Sequence, residues 1–390
     1  MPDSRDLHQN VKVFGVTSFF NDTATEMAYW VLPAFLVSIG AGPATLGVIE
    51  GIAESVAAAA KLWSGLLVDK SRNRKPLVVA GYALANAVKP LLTFVNAWWQ
   101  VLGIRFADRL AKGVRGAPRD VMLSESVAKE KVGSAFGLLQ AMDSAGAIIG
   151  PVVALLLINR IGLRGVFLAA AIPGAISIIA VVLFARETGK VRPVTAKAKS
   201  DSAAKLPASF YYLMFAITLF SIGNSSDMFL VLRAQNIGIG AALAPLLGLM
   251  FNITYTAFSW PAGKLSDTMS RKSLVAAGYV VFAIVYLVFA LAPSKSAIWA
   301  AFALYGLYYA LTNPVLRAMV SHAAPPEARG RAFGIFYFVS SITALLASVV
   351  SGELWKHFGP AVPFYASAAT AAVAAVMVMS SRGPLVDERA

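Results

Sequence analysis

Hydrophobic positions fall into about twelve blocks, each roughly 20 residues long and separated by short polar stretches. Within a block the apolar residues continue without strict alternation, as they do from Val166 to Phe184. Blocks of this length suit helices that cross a hydrocarbon layer, whereas barrel strands would alternate. The pattern predicts membrane-spanning helices at residues 13–38, 44–68, 76–97, 98–118, 133–158, 164–186, 208–234, 240–264, 272–292, 296–320, 331–353 and 360–381.

Composition agrees with an all-α integral membrane protein that lies in a lipid bilayer. Of the 390 residues, 58% are hydrophobic and 14% are charged, and the mean hydropathy is +0.67. This apolar content exceeds what a soluble core of that length buries. The chain has no cysteine, which excludes disulfides. The first twelve residues are polar, and no small-residue cleavage site follows the first apolar block, so we expect that block to be a retained helix.

The net charge of +14 is distributed unevenly along the chain. Lys and Arg concentrate in alternate loops: Lys70, Arg72, Arg74, Lys75, Lys129, Lys131, Arg186, Lys190, Arg192, Lys197, Lys199, Lys205, Arg271, Lys272, Arg329 and Arg331. This is the positive-inside bias, which predicts a multi-pass protein of the bacterial inner (plasma) membrane with both termini in the cytoplasm. A nucleic-acid surface would need the charge on one folded face, so no nucleic-acid partner is expected.

A repeat divides the chain near its midpoint. Gly65, Asp69 and Arg74 return as Gly263, Asp267 and Arg271. The run from Gly133 to Gly137 likewise returns from Gly330 to Gly334. Between the copies, residues 187–207 are rich in Lys, Ala and Ser and lack apolar periodicity, which is typical of a cytoplasmic linker. We therefore predict two pseudo-symmetric six-helix bundles, 1–186 and 208–390, with a substrate site between them near the midplane.

These loops resemble motif A of the major facilitator superfamily, and the resemblance covers the whole chain. The matching positions are Gly65, Leu67, Asp69, Lys70 and Arg74 in the first copy and Gly263, Leu265, Asp267, Arg271 and Lys272 in the second. Arg72 and Ser270 stand where a glycine is usual. Asp69 and Asp267 can cap neighbouring helix N-termini in one conformational state and release them in another. The alternative is that the nearby cations only fix topology.

The fifth helix resembles motif C, which the superfamily associates with exporters that work as antiporters. Gly137, Gly146, Gly150 and Pro151 match its spacing, and Ala154 replaces the last glycine. Small residues four apart also permit close helix packing, a structural role compatible with either transport direction. Arg105 resembles the motif B arginine, and its surroundings are similar to a bacterial subgroup of efflux permeases, some linked to metal resistance.

Ionisable residues inside membrane helices are costly and therefore indicate function. The acidic and basic candidates for proton coupling or the cavity are Asp22, Glu26, Glu54, Arg105, Asp108, Arg109, Asp143 and Asp227. Asp22 is the first candidate for the proton carrier, followed by Glu26 or Glu54. Arg105 and Arg109 could hold a carboxylate in its charged form or bind an anionic substrate. Asp108 has an alternative, which is pairing with Arg105 or Lys112 on its own helix.

Further cavity candidates are uncharged. Asn224, Asn252 and Tyr255, together with Asp227, are the expected substrate contacts of the second half. A helix-to-helix hydrogen bond is an equally good explanation for either Asn. Tyr29 follows the acidic turn of the first helix, and we expect it to line the cavity, to contact lipid or to pack in the core.

The resemblance and the charges together predict a proton-coupled exporter of a small solute that works by alternating access. A divalent metal-ion exporter and a proton-coupled importer of an organic solute are the alternatives. His8, His322 and His357 lie near the surface or in loops, so no metal site is assigned and no cofactor is expected. The chain has no HExxH, GxSxG or Gly-rich phosphate loop, so it is not expected to be an enzyme. We expect a monomer.

Overall fold

The computed structural model describes residues 8–41, 43–71, 73–188, 205–240, 243–291 and 294–380. These described residues form thirteen α-helices and no strand. The helices are α1 (Gln9–Ser38), α2 (Pro43–Lys70), α3 (Lys75–Val88), α4 (Trp98–Glu125), α5 (Val132–Ala169), α6 (Ala171–Phe184), α7 (Ala208–Gly223), α8 (Met228–Asn236), α9 (Ala244–Thr268), α10 (Arg271–Leu291), α11 (Lys295–Ala323), α12 (Arg329–Phe358) and α13 (Val362–Ser380). Most of the predicted linker, residues 189–204, lies outside the described part of the chain.

Two predicted spans differ from the observed helices in ways that affect the site. The third continues beyond α3 as a 3-10 helix, Lys89–Phe94. The prediction of one continuous helix over 208–234 is wrong, because α7 ends at Gly223 and α8 begins only at Met228. Between them lies a run of Asn, Ser and Ser, whose side chains compete with helical hydrogen bonding. The backbone N–H of Ser226, freed by the break, donates to the Ser348 hydroxyl at 3.0 Å.

A kink lies near the end of α5, shortly before α6 begins. Helix α5 is interrupted at Gly162, whose φ of 67° and ψ of 178° are not helical. Only glycine adopts this left-handed backbone conformation at little cost. The kink therefore separates the predicted fifth and sixth spans.

Exposed surfaces of the helices are apolar. Leu155 and Leu156 are each 69% exposed, and Val376 is 67% exposed. Within the described part of the chain, five helical stretches are long and apolar enough to cross a membrane by length and composition alone: Lys75–Phe94, Lys129–Phe184, Arg271–Leu291, Pro326–Phe358 and Val362–Ser380. Helix α4 is among the others because it carries many charges. An apolar exterior around polar buried positions is the arrangement that a lipid solvent favours.

The helices form two compact units with repeated packing. Unit 1 lies within residues 1–128, 142–205 and 326–335, and unit 2 lies within 129–141, 206–325 and 336–390. In unit 1, α2 and α3 both pack on α4, and α1 packs on α6. In unit 2, α9 and α10 both pack on α11, and α7 packs on α13. The same pairing of equivalent helices in both units is the pseudo-symmetry that the sequence repeat predicts.

Candidate functional site

Helix α4 contributes a stripe of buried charges to unit 1. It includes Arg105, Asp108, Arg109, Arg115 and Asp120, which are at most 8% exposed. The helix extends beyond the predicted end at residue 118, so Asp120 belongs to the same stripe. Buried charges persist only where they are paired or hydrogen-bonded, and their partners therefore define the site.

Asp108 lies between two cations of unit 1. Its Oδ2 is 3.5 Å from Nη1 of Arg105 on the same helix, and its Oδ1 is 3.6 Å from Nζ of Lys89. Lys89 is the first residue of the 3-10 helix that follows α3, and it is only 4% exposed. The alternative given for Asp108, pairing with Arg105 on its own helix, is thus present, and Lys89 from another helix is a second cation beside it.

Lys89 also begins a chain of hydrogen bonds that leads to Asp22. Its Nζ donates to Oδ1 of Asn86 at 3.2 Å. Nδ2 of Asn86 donates to Oδ1 of Asn21 at 3.1 Å, and Nδ2 of Asn21 donates to Oδ1 of Asp22 at 2.8 Å. Asn86 and Asn21 are both buried. We call the set Asp22, Asn21, Asn86, Lys89 and Asp108 the polar chain; it connects α1, α3 and α4 through buried groups.

The other predicted groups of unit 1 differ in their surroundings. The Arg105 guanidinium lies 5.4 Å from the centre of the Tyr29 ring. Glu26 and Asp143 are half-buried on α1 and α5. The side chain of Glu54 lies outside the described part of the chain.

The break between α7 and α8 forms a second candidate site, in unit 2. Oδ1 of Asp227 accepts a hydrogen bond from the Tyr305 hydroxyl at 2.7 Å. Around Tyr305 the aromatic rings are crowded, with the Tyr309 ring 5.1 Å and the Phe251 ring 5.6 Å away, centre to centre. Tyr305 is buried, with 1% of its surface exposed, whereas Asp227 is an exposed residue.

The three uncharged candidates of unit 2 differ in their contacts. Nδ2 of Asn224 donates to the Tyr308 hydroxyl at 3.4 Å, which connects it to the aromatic cluster. The Tyr255 hydroxyl accepts from Nδ2 of Asn313 at 2.7 Å. Asn252 donates to the carbonyl of Gly248 in its own helix at 3.0 Å. The Tyr255 ring also lies 5.4 Å from the Tyr309 ring, so Asn224 and Tyr255 both adjoin the aromatic rings around Tyr305, while this bond of Asn252 is local.

The two motif A aspartates cap helix N-termini in the same way in both units. In unit 1, Asp69 accepts from the backbone N–H groups of Gly330 and Arg331 at 2.7 and 2.8 Å. In unit 2, Asp267 accepts from the N–H groups of Gly133 and Ser134 at 2.8 Å each. We call these the Asp69 clasp and the Asp267 clasp; they bind the first turns of α12 and α5.

Close backbone contact accompanies each clasp. A Cβ added to Gly65 would lie 2.4 Å from the Gly330 carbonyl oxygen. One added to Gly263 would lie 2.3 Å from the Gly133 oxygen. Glycine at both motif positions is therefore needed for the approach of the helices. Of the motif cations, Arg74 forms an ion pair with Glu125, and Arg271 lies 3.7 Å from Asp267.

Both clasp aspartates lie beyond the predicted membrane spans, and burial changes their acidity. Burial raises the pKa of the Asp69 carboxyl to about 6, although the N–H groups of Arg331 and Gly330 and the charges of Arg331 and Arg74 lower it. Burial also raises the pKa of Asp267, against hydrogen bonds from Ser134 and Gly133 and the charge of Arg271. A carboxyl with a pKa near 6 changes its charge in the physiological range.

The motif C glycines pack against two helices. A Cβ on Gly146 would lie 2.4 Å from the carbonyl oxygen of Phe19, and one on Gly150 would lie 2.7 Å from that of Thr23. Gly137 packs equally closely on α9, where a Cβ would be 2.6 Å from the Ser259 oxygen. Pro151 lies inside α5, one residue after Gly150.

Sequence reasoning did not single out Lys89, Asn86, Asn21 or Tyr305. Lys89 carried a usable signal, because it is a cation inside a predicted apolar span. The two Asn residues and the tyrosine have no comparable signal, since their partners lie on other helices. Within the described residues, no group of three or more His, Asp or Glu side chains is arranged to hold a metal ion.

Comparison with known proteins places these features in a wider context. The family model of the Major Facilitator Superfamily matches residues 14–232 and 209–388. An uncharacterised MFS-type transporter of Methanocaldococcus jannaschii is 35% identical over 97% of this chain and 96% of its own length. The multi-drug resistance efflux pump PmrA of Streptococcus pneumoniae is 26% identical over 89% of this chain and 90% of its own.

Solved structures share the fold at low identity. The crystal structure of the human organic anion transporter MFSD10 (TETRAN) has a TM-score of 0.82 at 12% identity. The alignment covers 97% of this chain and 100% of that one. At this identity the likeness concerns the fold alone.

Proposed function

The chain belongs to the Major Facilitator Superfamily, and from this premise we propose that it is a proton-coupled exporter of a small solute. As a member of the family it is a multi-pass membrane transporter. We further propose that it resides in the bacterial inner membrane as a monomer, with both termini cytoplasmic. The halves 1–186 and 208–390, joined by the linker 187–207, would alternate access to the solute.

The observation that carries this proposal is the polar chain of unit 1. It provides one carboxylate, Asp22, at the end of a series of donors that starts at the Lys89 ammonium. Lys89 also interacts electrostatically with both Asp108 and Asp22. Protonation of Asp22 removes a charge at one end of this series and changes the balance around Lys89 at the other. A carboxylate in such a place can exchange its proton as access alternates.

Two observations support export as the direction. The efflux pump of Streptococcus pneumoniae matches the chain over most of its length. Gly146 and Gly150 of motif C, which the resemblance associates with exporters, pack directly on α1, the helix that carries Asp22. A Cβ added to Gly146 would lie 3.2 Å from the Cβ of Asp22. The helix with the proposed proton carrier thus packs on the exporter motif.

The clasps supply a gating device for this cycle. Asp69 and Asp267 each fix one helix N-terminus with two backbone hydrogen bonds. The carboxylates also complement the positive ends of the helix dipoles. Release of either clasp would free the first turn of α12 or α5, and we propose that the clasps alternate between held and released forms during transport.

Everted membrane vesicles test the function. Vesicles with the overproduced protein build a pH gradient and are then challenged with organic cations, organic anions, neutral drugs and divalent metals. We expect one class to collapse the gradient with the wild-type chain and not with Asp22→Asn at equal expression. A collapse that Asp22→Asn leaves intact contradicts coupling through Asp22. Collapse by metals alone would favour the metal exporter, and solute uptake driven by protons would favour the importer.

A further inference from the structure

The break between α7 and α8 carries a carboxylate, that of Asp227. Among the described residues, no Lys, Arg or His side chain forms an ion pair with Asp227. Its Oδ1 accepts from the Tyr305 hydroxyl at 2.7 Å, and its charge also acts on the nearby Tyr309 and Tyr286. This differs from unit 1, where Asp108 lies between Lys89 and Arg105. Within the described residues this carboxylate is balanced by hydroxyls and by the N-terminal end of α8, without a cationic side chain, which leaves it complementary to a mobile positive ligand.

A second group at the break is an unused acceptor. Oδ1 of Asn224 is buried and accepts no hydrogen bond from the described residues, although Nδ2 of the same side chain reaches Tyr308. Asn224 directly follows the last residue of α7. The C-terminal end of a helix presents free carbonyl groups and a partial negative charge. The carboxylate, the amide oxygen and the helix end are all complementary to a cation.

Aromatic faces complete the surroundings of this acceptor set. The rings of Phe251 and Tyr309 are 5.2 Å apart at an interplanar angle of 80°, and those of Tyr305 and Tyr309 are 5.1 Å apart at 85°. Phe251 and Tyr309 are half-buried, so part of each ring remains accessible. Perpendicular aromatic walls beside a carboxylate bind alkylated ammonium groups through cation–π attraction.

We propose that the α7–α8 break, with Asp227, Asn224, Phe251 and Tyr309, binds a small organic cation of the ammonium type. Aromatic walls favour a bulky, weakly hydrated cation over an inorganic ion, which prefers a shell of several oxygen ligands. The inference rests on the proposed function, because it names the substrate class that the exporter carries. It assigns substrate binding to unit 2 and leaves proton coupling in unit 1.

Binding to the purified full-length chain in detergent tests the site without any proton gradient. The probe is radiolabelled benzyltrimethylammonium in equilibrium dialysis, and the competitor is phenylmethanesulfonate, an anion of similar size. We expect saturable binding that the sulfonate does not displace. Asp227→Asn should weaken binding at least roughly tenfold, since it removes the only proposed charge. Tyr365→Phe, a change at an exposed tyrosine of α13, should leave the affinity unchanged.

A pair of variants keeps the test decisive if Asp227→Asn does not fold. Tyr309→Leu removes an aromatic wall and should weaken binding about tenfold, whereas Tyr309→Phe keeps the ring, loses only the hydroxyl and should retain clearly more affinity than Tyr309→Leu. The inference would be overturned if the wild-type chain showed no saturable binding of the probe. It would also be overturned if the sulfonate displaced the probe equally well, or if sodium displaced it at the same concentration. Unchanged affinity in both Asp227→Asn and Tyr309→Leu would overturn it as well.

This experiment separates the two proposals. Intact probe binding together with an absence of gradient-driven export would refute the proposed function and leave the cation site standing. Proton-coupled export of anions or neutral solutes, with no binding of the probe, would refute the cation site alone.

Discussion

At the scale of single residues, Lys89 connects the charged and the amide groups of the unit 1 site. Its ammonium is buried, lies 3.6 Å from the Asp108 carboxylate and donates to Asn86. Burying the Lys89 ammonium costs free energy, and burying the Asp108 carboxylate without a nearby cation would also cost free energy. The pair therefore persists because each charge compensates the other.

Replacing Lys89 with methionine should destabilise the protein. The change keeps the volume but removes the ammonium 3.6 Å from the Asp108 carboxylate, and removal of one partner of a buried pair costs about 3 kcal/mol or more. Lys89→Arg should recover most of that free energy of unfolding. Denaturant unfolding in detergent measures both, with the exposed Lys205→Met as control. Equal stability of Lys89→Met and the wild type would show that the pair does not contribute.

Several of these residues follow from sequence and several do not. Asp22, Arg105 and Asp108 are identified because charge inside an apolar span is costly wherever it points. The polar chain itself is not, because Asn86 and Asn21 act through partners on other helices, and spacing along one helix does not reveal them. The same applies to Tyr305, whose role depends on a carboxylate 78 positions earlier in the chain.

At the scale of elements, the helices are held by glycines and by clasps. Gly146 of α5 touches the backbone of α1, where no side chain can move aside. Gly103 of α4 has open space around it, with nothing within 4 Å of an added Cβ. The same substitution should therefore have opposite effects at the two positions.

Gly146→Ala is expected to destabilise, and Gly103→Ala to stabilise. The first forces a methyl to within 2.4 Å of the Phe19 oxygen, which costs about 1–3 kcal/mol for an overpacked contact. The second replaces glycine inside a helix and gains up to about 1 kcal/mol. Thermal unfolding of the two variants provides the comparison. A stabilising Gly146→Ala would contradict the close approach of α5 and α1.

The Asp69 clasp should depend on pH. Its carboxyl has a pKa raised by burial to about 6, so the held form binds more protons than a released form with an ordinary carboxyl. Burial disfavours the charged carboxylate more than its hydrogen bonds and nearby cations favour it. The stabilisation of the held clasp by proton binding to Asp69 is therefore complete at low pH and is lost as the pH rises through about 6. Acidification should therefore favour the held clasp.

Spin labels measure this response. The chain has no cysteine, so Lys70→Cys and Glu327→Cys, both exposed near the clasp, take the only labels. The short-distance population should rise as the pH falls from about 7.5 to about 5. Asp69→Asn should abolish the change, and Asp267→Asn should retain it. A response that survives Asp69→Asn would assign the titration to another group.

The elements themselves were largely predictable. The apolar blocks located the helices because lipid requires long apolar runs. The break at residues 224–227 was missed, since Asn and Ser inside an apolar block resemble ordinary polar positions of a helix. Only the tertiary contact from Ser348 shows how the freed N–H of Ser226 is satisfied.

At the scale of the whole molecule, two units with the same packing carry different chemistry. Unit 1 contains the buried polar chain, with cations beside carboxylates. Unit 2 contains Asp227 among tyrosines. Repeated architecture with unequal charge suits a transporter in which one half exchanges protons and the other binds the solute. The sequence repeat predicts the shared architecture. The unequal number of charged residues in the spans of the two halves indicates that their chemistry differs.

The most direct test of proton coupling through Asp22 uses proteoliposomes that contain the purified chain and a solute from the active class of the vesicle panel. Accumulation of that solute under an imposed pH gradient is compared with counterflow exchange when no gradient is present. We predict that Asp22→Asn keeps counterflow and loses accumulation against the solute gradient, because the variant moves solute without a proton. Gradient-driven accumulation at the wild-type level in Asp22→Asn would contradict the account.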